Sequence, residues 1–186
     1  LSVNATLTAT ISTTATLGRG GNITYSILAG SGSASVNSNT GLVTGISIGT
    51  VTLTATSAGD TNYYSASTSQ LITIGKVTPT LTITSANSLF VDGSLTATVT
   101  STATLGRGGN ITYSLVAGSG SATVNPSTGL ITGISIGTVT LTATSAGDTN
   151  YYSASTSQLI TIGKVTPTLT ITSANSLFVD GTLTVT

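Results

Sequence analysis

The chain has 186 residues with four Lys or Arg and four acidic residues, so its net charge is zero and only 4% of it is charged, against about 25% in ordinary soluble domains. His, Cys, Met and Trp are absent, which excludes a Ser-His-Asp triad, a thiol nucleophile and an ordinary zinc site. Four cations cannot supply the counterion release that drives nucleic-acid binding, so no nucleic-acid partner is expected.

Thr contributes 43 residues and Ser 27, with 22 Gly beside them. The mean hydropathy is +0.43, yet hydroxyl residues interrupt every apolar run within a few positions. No stretch approaches the roughly 20 apolar residues of a membrane-spanning helix, and no membrane insertion is expected of this segment. A chain that is 38% hydrophobic and nearly uncharged is also unlike a disordered one.

Two long segments recur at an offset of 88 residues: the run starting at Thr16 returns at Thr104, and the run starting at Gly49 returns at Gly137. Comparing Leu1–Ser88 with Leu89–Ser176, 75 of 88 positions match. Copies this similar are units of a tandem array.

Within one repeat the apolar period is two. Leu81 to Thr84, Leu95 to Thr100 and Val139 to Thr144 alternate apolar and hydroxyl residues, the pattern of half-buried strands. In chain order the spacing predicts strands near Thr80–Ser85, Ser94–Thr100, Ile111–Val116, Ala122–Asn125, Leu130–Thr132, Thr138–Ser145 and Ser155–Ile162. Turn signals separate them: Asp92-Gly93, Gly106 to Asn110, Gly118 to Gly120, Asn125 to Gly129 and Gly147 to Asn150. About seven short antiparallel strands in 88 residues predict an all-β chain of tandem β-sandwiches.

The stretch from Asn110 to Asp148 resembles the bacterial immunoglobulin-like domains, particularly the group 2 type. The matching features are Tyr113, then Ala122-Thr123-Val124, then Gly129 to Gly133, then Gly137-Thr138 through Thr144, repeated in the first copy from Tyr25 to Thr56. Tyr113 stands where that family often carries Trp, and the hairpin Ala58–Tyr63 resembles that of related Ig-like repeats. The resemblance implies tandem, rod-like, extracellular arrays of surface adhesins and invasin-like proteins, and so a bacterial cell-surface or secreted location. By its phasing, residues 1–77 are an Ig-like domain lacking its first strand, 78–165 a complete one, and 166–186 the first strand or strands of a further one. That phasing has two readings: a window cut from a longer array, or a C-terminal strand that completes the N-terminal domain of another copy.

Candidate sites are few, and each has a plainer structural reading. Arg19 and Arg107 lie in Gly-rich loops that could cradle an anion, but the Lys-Ser/Thr of a P-loop is missing, and a charged turn serves as well. Asp60 and Asp148 are poor calcium ligands, because that ion takes about six to eight oxygens and usually several carboxylates; a turn Asp accepting backbone N–H groups is the alternative. Tyr63, Tyr64, Tyr151 and Tyr152 form Tyr-Tyr hairpin tips that could contact a glycan or protein, or could cover a domain end and junction. Lys76 and Lys164 read as linker residues, since an isopeptide bond would need an acid beside them. The Thr-x-Thr runs suit the outer face of a sheet better than an ice-binding array. Asn4, Asn22 and Asn110 head N-x-Thr sequons.

No metal, cofactor or catalytic group is expected. Expected partners are neighbouring repeats or copies of the chain, and host or surface glycan or protein. The expected role is a stiff spacer, in which Pro79 and Pro167 follow the last strand closely and strands of about eight residues make a body roughly 27 Å long.

Overall fold

The computed structural model describes residues 1–15, 21–103 and 109–172. The chain is all-β, and the described residues form fifteen strands. The first six are β1 (Thr6–Thr8), β2 (Ile23–Ala29), β3 (Ser33–Val36), β4 (Leu42–Ser47), β5 (Gly49–Ser57) and β6 (Ala66–Ile74). The other nine are β7 (Leu81–Ile83), β8 (Ser88–Phe90), β9 (Ser94–Thr96), β10 (Val99–Ser101), β11 (Ile111–Ala117), β12 (Ser121–Val124), β13 (Leu130–Ser135), β14 (Gly137–Ser145) and β15 (Ala154–Gly163).

In the later set one layer has the order β11-β14-β15-β8, and β12-β13-β9 and the β10-β7 pair lie opposite it. The earlier set repeats the central part as β2-β5-β6 and β1-β4-β3. Registers match at the repeat offset: Tyr25 pairs with Ala55 as Tyr113 pairs with Ala143. Both sets carry the same bulge, after Ser33 in β3 and after Ser121 in β12.

Alternation explains which face is buried. On β14, Val139, Leu141 and Ala143 are buried while Thr140, Thr142 and Thr144 reach toward solvent. The Thr residues keep the β-branched shape that suits an extended backbone and place a hydroxyl where water is available. Leu89, Ala97, Ile131, Val139, Leu141, Ile160 and Ile162 form one core. Val43, Val51, Leu53, Ile72 and Ile74 centre the other. Tyr113 packs on the edge of the later core. A Cβ at Gly129, where φ is +71°, would stand 3.0 Å from the Tyr113 ring, so this turn needs glycine for both its backbone and its space.

Two expected strands differ in detail. The strand expected over Ser94–Thr100 is divided into β9 and β10, because it changes partner midway: β9 pairs with β13 and β10 with β7. Ala97 N–H donates to Gly129 O at 2.9 Å, and one residue on, Thr98 O accepts from Thr84 N–H at 2.8 Å. The opening strand is shorter than Thr80–Ser85, and β8 follows it, running parallel to the end of β15. Three residues whose partner lies more than 70 positions away carry no local strand signal.

Candidate functional site

The tyrosine hairpins are built identically in the two copies. Asp60 Oδ1 accepts from the backbone N–H of Asn62 at 2.7 Å and of Tyr63 at 2.9 Å. Asp148 Oδ1 accepts from Asn150 at 2.7 Å and Tyr151 at 2.9 Å. A short acceptor satisfying two successive N–H groups is what an Asp at the head of a turn supplies. The Asp carboxylates therefore shape the hairpin. Among the described residues no group of three or more potential metal ligands comes together.

The surroundings of the two hairpins differ. Tyr151 is 2% exposed and lies in one core cluster with Val3, Val43, Ile74 and Ala103, with Ile48 and Val77 packed around it. It thus plugs the end of the earlier strand set. Val77 and Tyr151 form a parallel bridge, with Val77 N–H donating to Asn150 O at 3.2 Å and Tyr152 N–H donating to Val77 O at 2.9 Å. Three side-chain bonds tie the same joint. Asn4 Nδ2 donates to the Tyr151 hydroxyl at 2.7 Å. Ile48 N–H donates to Asn150 Oδ1 at 3.2 Å. Lys76 Nζ donates to Asp148 O at 2.9 Å and lies 5.7 Å from the Tyr152 ring centre.

Lys76 is accordingly a clamp across the joint as well as a linker residue. Buried Pro79 follows two residues after Val77, so the connecting backbone is fixed by bridge and ring together. Tyr63, the counterpart of Tyr151, is half-buried, and Tyr64 is 98% exposed. Tyr152 is exposed beside Lys76, and Lys164 is exposed at the other end of the later set. Arg19 and Arg107 lie outside the described residues. Sequence reasoning placed a tyrosine at a joint; it missed Asn4, Ile48 and Asn150, because each acts across more than 100 residues and sits in an ordinary strand or turn context.

The topology defines the class: an all-β chain of immunoglobulin-like sandwich layers. No protein-family model matches the chain, and no curated protein matches it. Seventeen solved chains are similar in structure. One is a C-terminal 282-residue fragment of intimin in complex with the intimin-binding domain of the translocated intimin receptor, with 18% identity and a TM-score of 0.34. The alignment covers 75% of this chain, which spans about half, 51%, of that fragment.

Proposed function

We propose that the chain is a structural repeat of an extracellular filament or a bacterial cell-surface adhesin stalk, acting as a stiff spacer. On this reading residues 1–77 are a sandwich without its first strand, 78–165 a complete sandwich, and 166–186 the opening of a further one. The observation that carries it is the joint at Tyr151. A buried aromatic, a backbone bridge and a Lys clamp hold one repeat against the next with no free linker between them. Rigid joints of this kind convert repeat number into length, and each repeat contacts only its neighbours. The near-absence of charge fits such a role, since the residues invested in the chain serve cores, turns and joints.

Small-angle scattering tests the reading. The wild-type chain should give a single, sharply bounded maximum dimension. Tyr151→Ala combined with Lys76→Ala should broaden the distance distribution without loss of strand content. A wild-type chain that already scatters as two independently moving bodies overturns the spacer role.

A second reading rests on Tyr64, whose ring is almost fully exposed beside half-buried Tyr63. Here each Tyr-Tyr hairpin contacts glycan or protein. Tyr64→Ala with Tyr152→Ala should then abolish binding to a glycan array while melting stays unchanged. An array on which wild type and variant behave alike removes this reading.

A further inference from the structure

One strand pair runs in a direction that the others do not. β8 is parallel to β15, with Ser88, Leu89 and Phe90 opposite Thr161, Ile162 and Gly163. The other strand pairs among the described residues are antiparallel. The earlier set repeats the parallel contact as a bridge between Ser2 and Gly75.

The segment around β8 is bonded to both layers in succession. On one layer Thr161 N–H donates to Asn87 O at 2.9 Å, and Val91 N–H donates to Gly163 O at 3.0 Å. The chain then turns. Gly93 N–H donates to Phe90 O at 3.0 Å, and Asp92 is left-handed with φ 59°, which is the geometry of a type II turn. On the opposite layer Asp92 N–H donates to Gly133 O at 2.9 Å, and Gly133 N–H donates to Gly93 O at 3.1 Å. The earlier set is built alike. Val3 N–H donates to Gly75 O at 3.2 Å and Asn4 N–H to Gly45 O at 2.9 Å, and the φ of Asn4 is 62°. Glycine permits this approach in both copies: a Cβ at Gly45 would lie 2.6 Å from Ser2 O, and one at Gly133 2.6 Å from Phe90 O.

We propose that residues 87–93 and the end of β15 form a latch that holds the repeat together against tension along the chain. This rests on the spacer reading and deepens it, since the repeat then bears a pull as well as setting a length. Strand direction carries the argument. Tension enters β8 at its N-terminal end and leaves β15 at its C-terminal end. Because the two strands are parallel, those pulls point opposite ways along one line, and the strands must slide lengthwise. The bonds between them are then strained together. An antiparallel pair pulled at adjacent ends opens one residue pair at a time instead. Sliding also drags Leu89, 7% exposed, past Ile162, 2% exposed, and out of their shared core. The bonds to Gly133 tie the same segment to the second layer. Forced unfolding is governed by the unfolding rate, so a contact that must break as a unit sets the force.

Single-molecule force spectroscopy on the full chain tests the latch. The chain has no Cys of its own, so pulling points can be chosen. Asn87→Cys with Lys164→Cys, both exposed, applies the pull lengthwise across β8 and β15. Ile136→Cys with Lys164→Cys pulls on adjacent ends of β14 and β15, where Gly137 lies opposite Ile162, and opens that pair residue by residue. The lengthwise unfolding force should be higher by about twofold or more. Val91→Pro suits the second position of a type II turn and removes the N–H that donates to Gly163 O. At a fixed lengthwise pull it should unfold roughly fivefold faster, the factor that one backbone hydrogen bond is worth. The opening of β14 from β15 should stay unchanged.

Equal forces in the two directions overturn the proposal, and so does a Val91→Pro chain that yields faster in both directions alike. Should that variant fail to fold, the two pulling directions without it decide alone. A chain that scatters as a stiff body yet yields equally in both directions overturns the latch and leaves the spacer reading standing. One that resists the lengthwise pull while its strand sets move independently overturns the spacer reading and leaves the latch.

Discussion

Tyr63 and Tyr151 allow the joint to be weighed on its own. Both follow the same residues in the same turn, and each N–H is held by the turn Asp at 2.9 Å. Any local cost of replacing the tyrosine therefore cancels between Tyr63→Ala and Tyr151→Ala. The non-local cost does not, because Tyr151 is 2% exposed within a core and Tyr63 is half-buried. Emptying a buried aromatic site costs about 3–5 kcal/mol. Loss of the 2.7 Å bond from Asn4 adds about 1 kcal/mol. A half-buried ring yields about 1–2 kcal/mol by area. Tyr151→Ala should thus cost about 2–5 kcal/mol more than Tyr63→Ala, and Tyr151→Phe only about 1 kcal/mol.

The assay is urea denaturation followed by far-ultraviolet circular dichroism, at concentrations low enough to keep copies apart. The curves should be fitted as two transitions, since coupled repeats need not unfold as one. Tyr151→Ala should move the transition of the earlier strand set toward lower urea, because that set loses the plug over its core. Equal losses for the two alanine variants, within about 0.5 kcal/mol, would refute the reasoning. The joint would then be a contact without energetic weight.

Gly129→Ala places a methyl group 3.0 Å from the Tyr113 ring in a backbone with φ +71°, and strain plus crowding should cost about 2–4 kcal/mol, read as a melting temperature lowered by roughly 10 °C or more. Asp148→Ala removes the acceptor of two backbone N–H groups and should cost about 1–2 kcal/mol in urea denaturation, whereas Asp148→Asn keeps a carbonyl oxygen there and should cost about half as much. Leu141→Ala, at a site 0% exposed between β11 and β15, should cost about 3–5 kcal/mol, while Leu159→Ala on the outer face of β15, 58% exposed, should change stability by less than about 1 kcal/mol.

Local pattern carried much of the fold. Alternation from Val139 to Thr144 marked both the strand and its buried face, since side chains on extended backbone change sides at every residue. Turn residues from Asn125 to Gly129 marked the reversal, where Asn125 Oδ1 accepts from Ser127 and Thr128 N–H at 3.0 Å each. The 88-residue period announced two like sets of strands. What the pattern did not carry is any contact whose partner lies far along the chain. β8 was invisible because three residues have no period, and the division into β9 and β10 because it depends on which strand lies opposite.

The two copies make the division plain, because identical local sequences meet different fates. Leu81 and Leu169 begin the same four residues, yet one is 7% and the other 91% exposed. Tyr63 and Tyr151 end the same turn, yet only Tyr151 lies in a core. Sequence determined backbone geometry and hydrophobic pattern, since these arise from neighbours within a few residues. Tertiary structure decided burial, since a side chain leaves water only when another surface arrives to cover it. For Tyr151 that surface is the preceding repeat, whose core it enters.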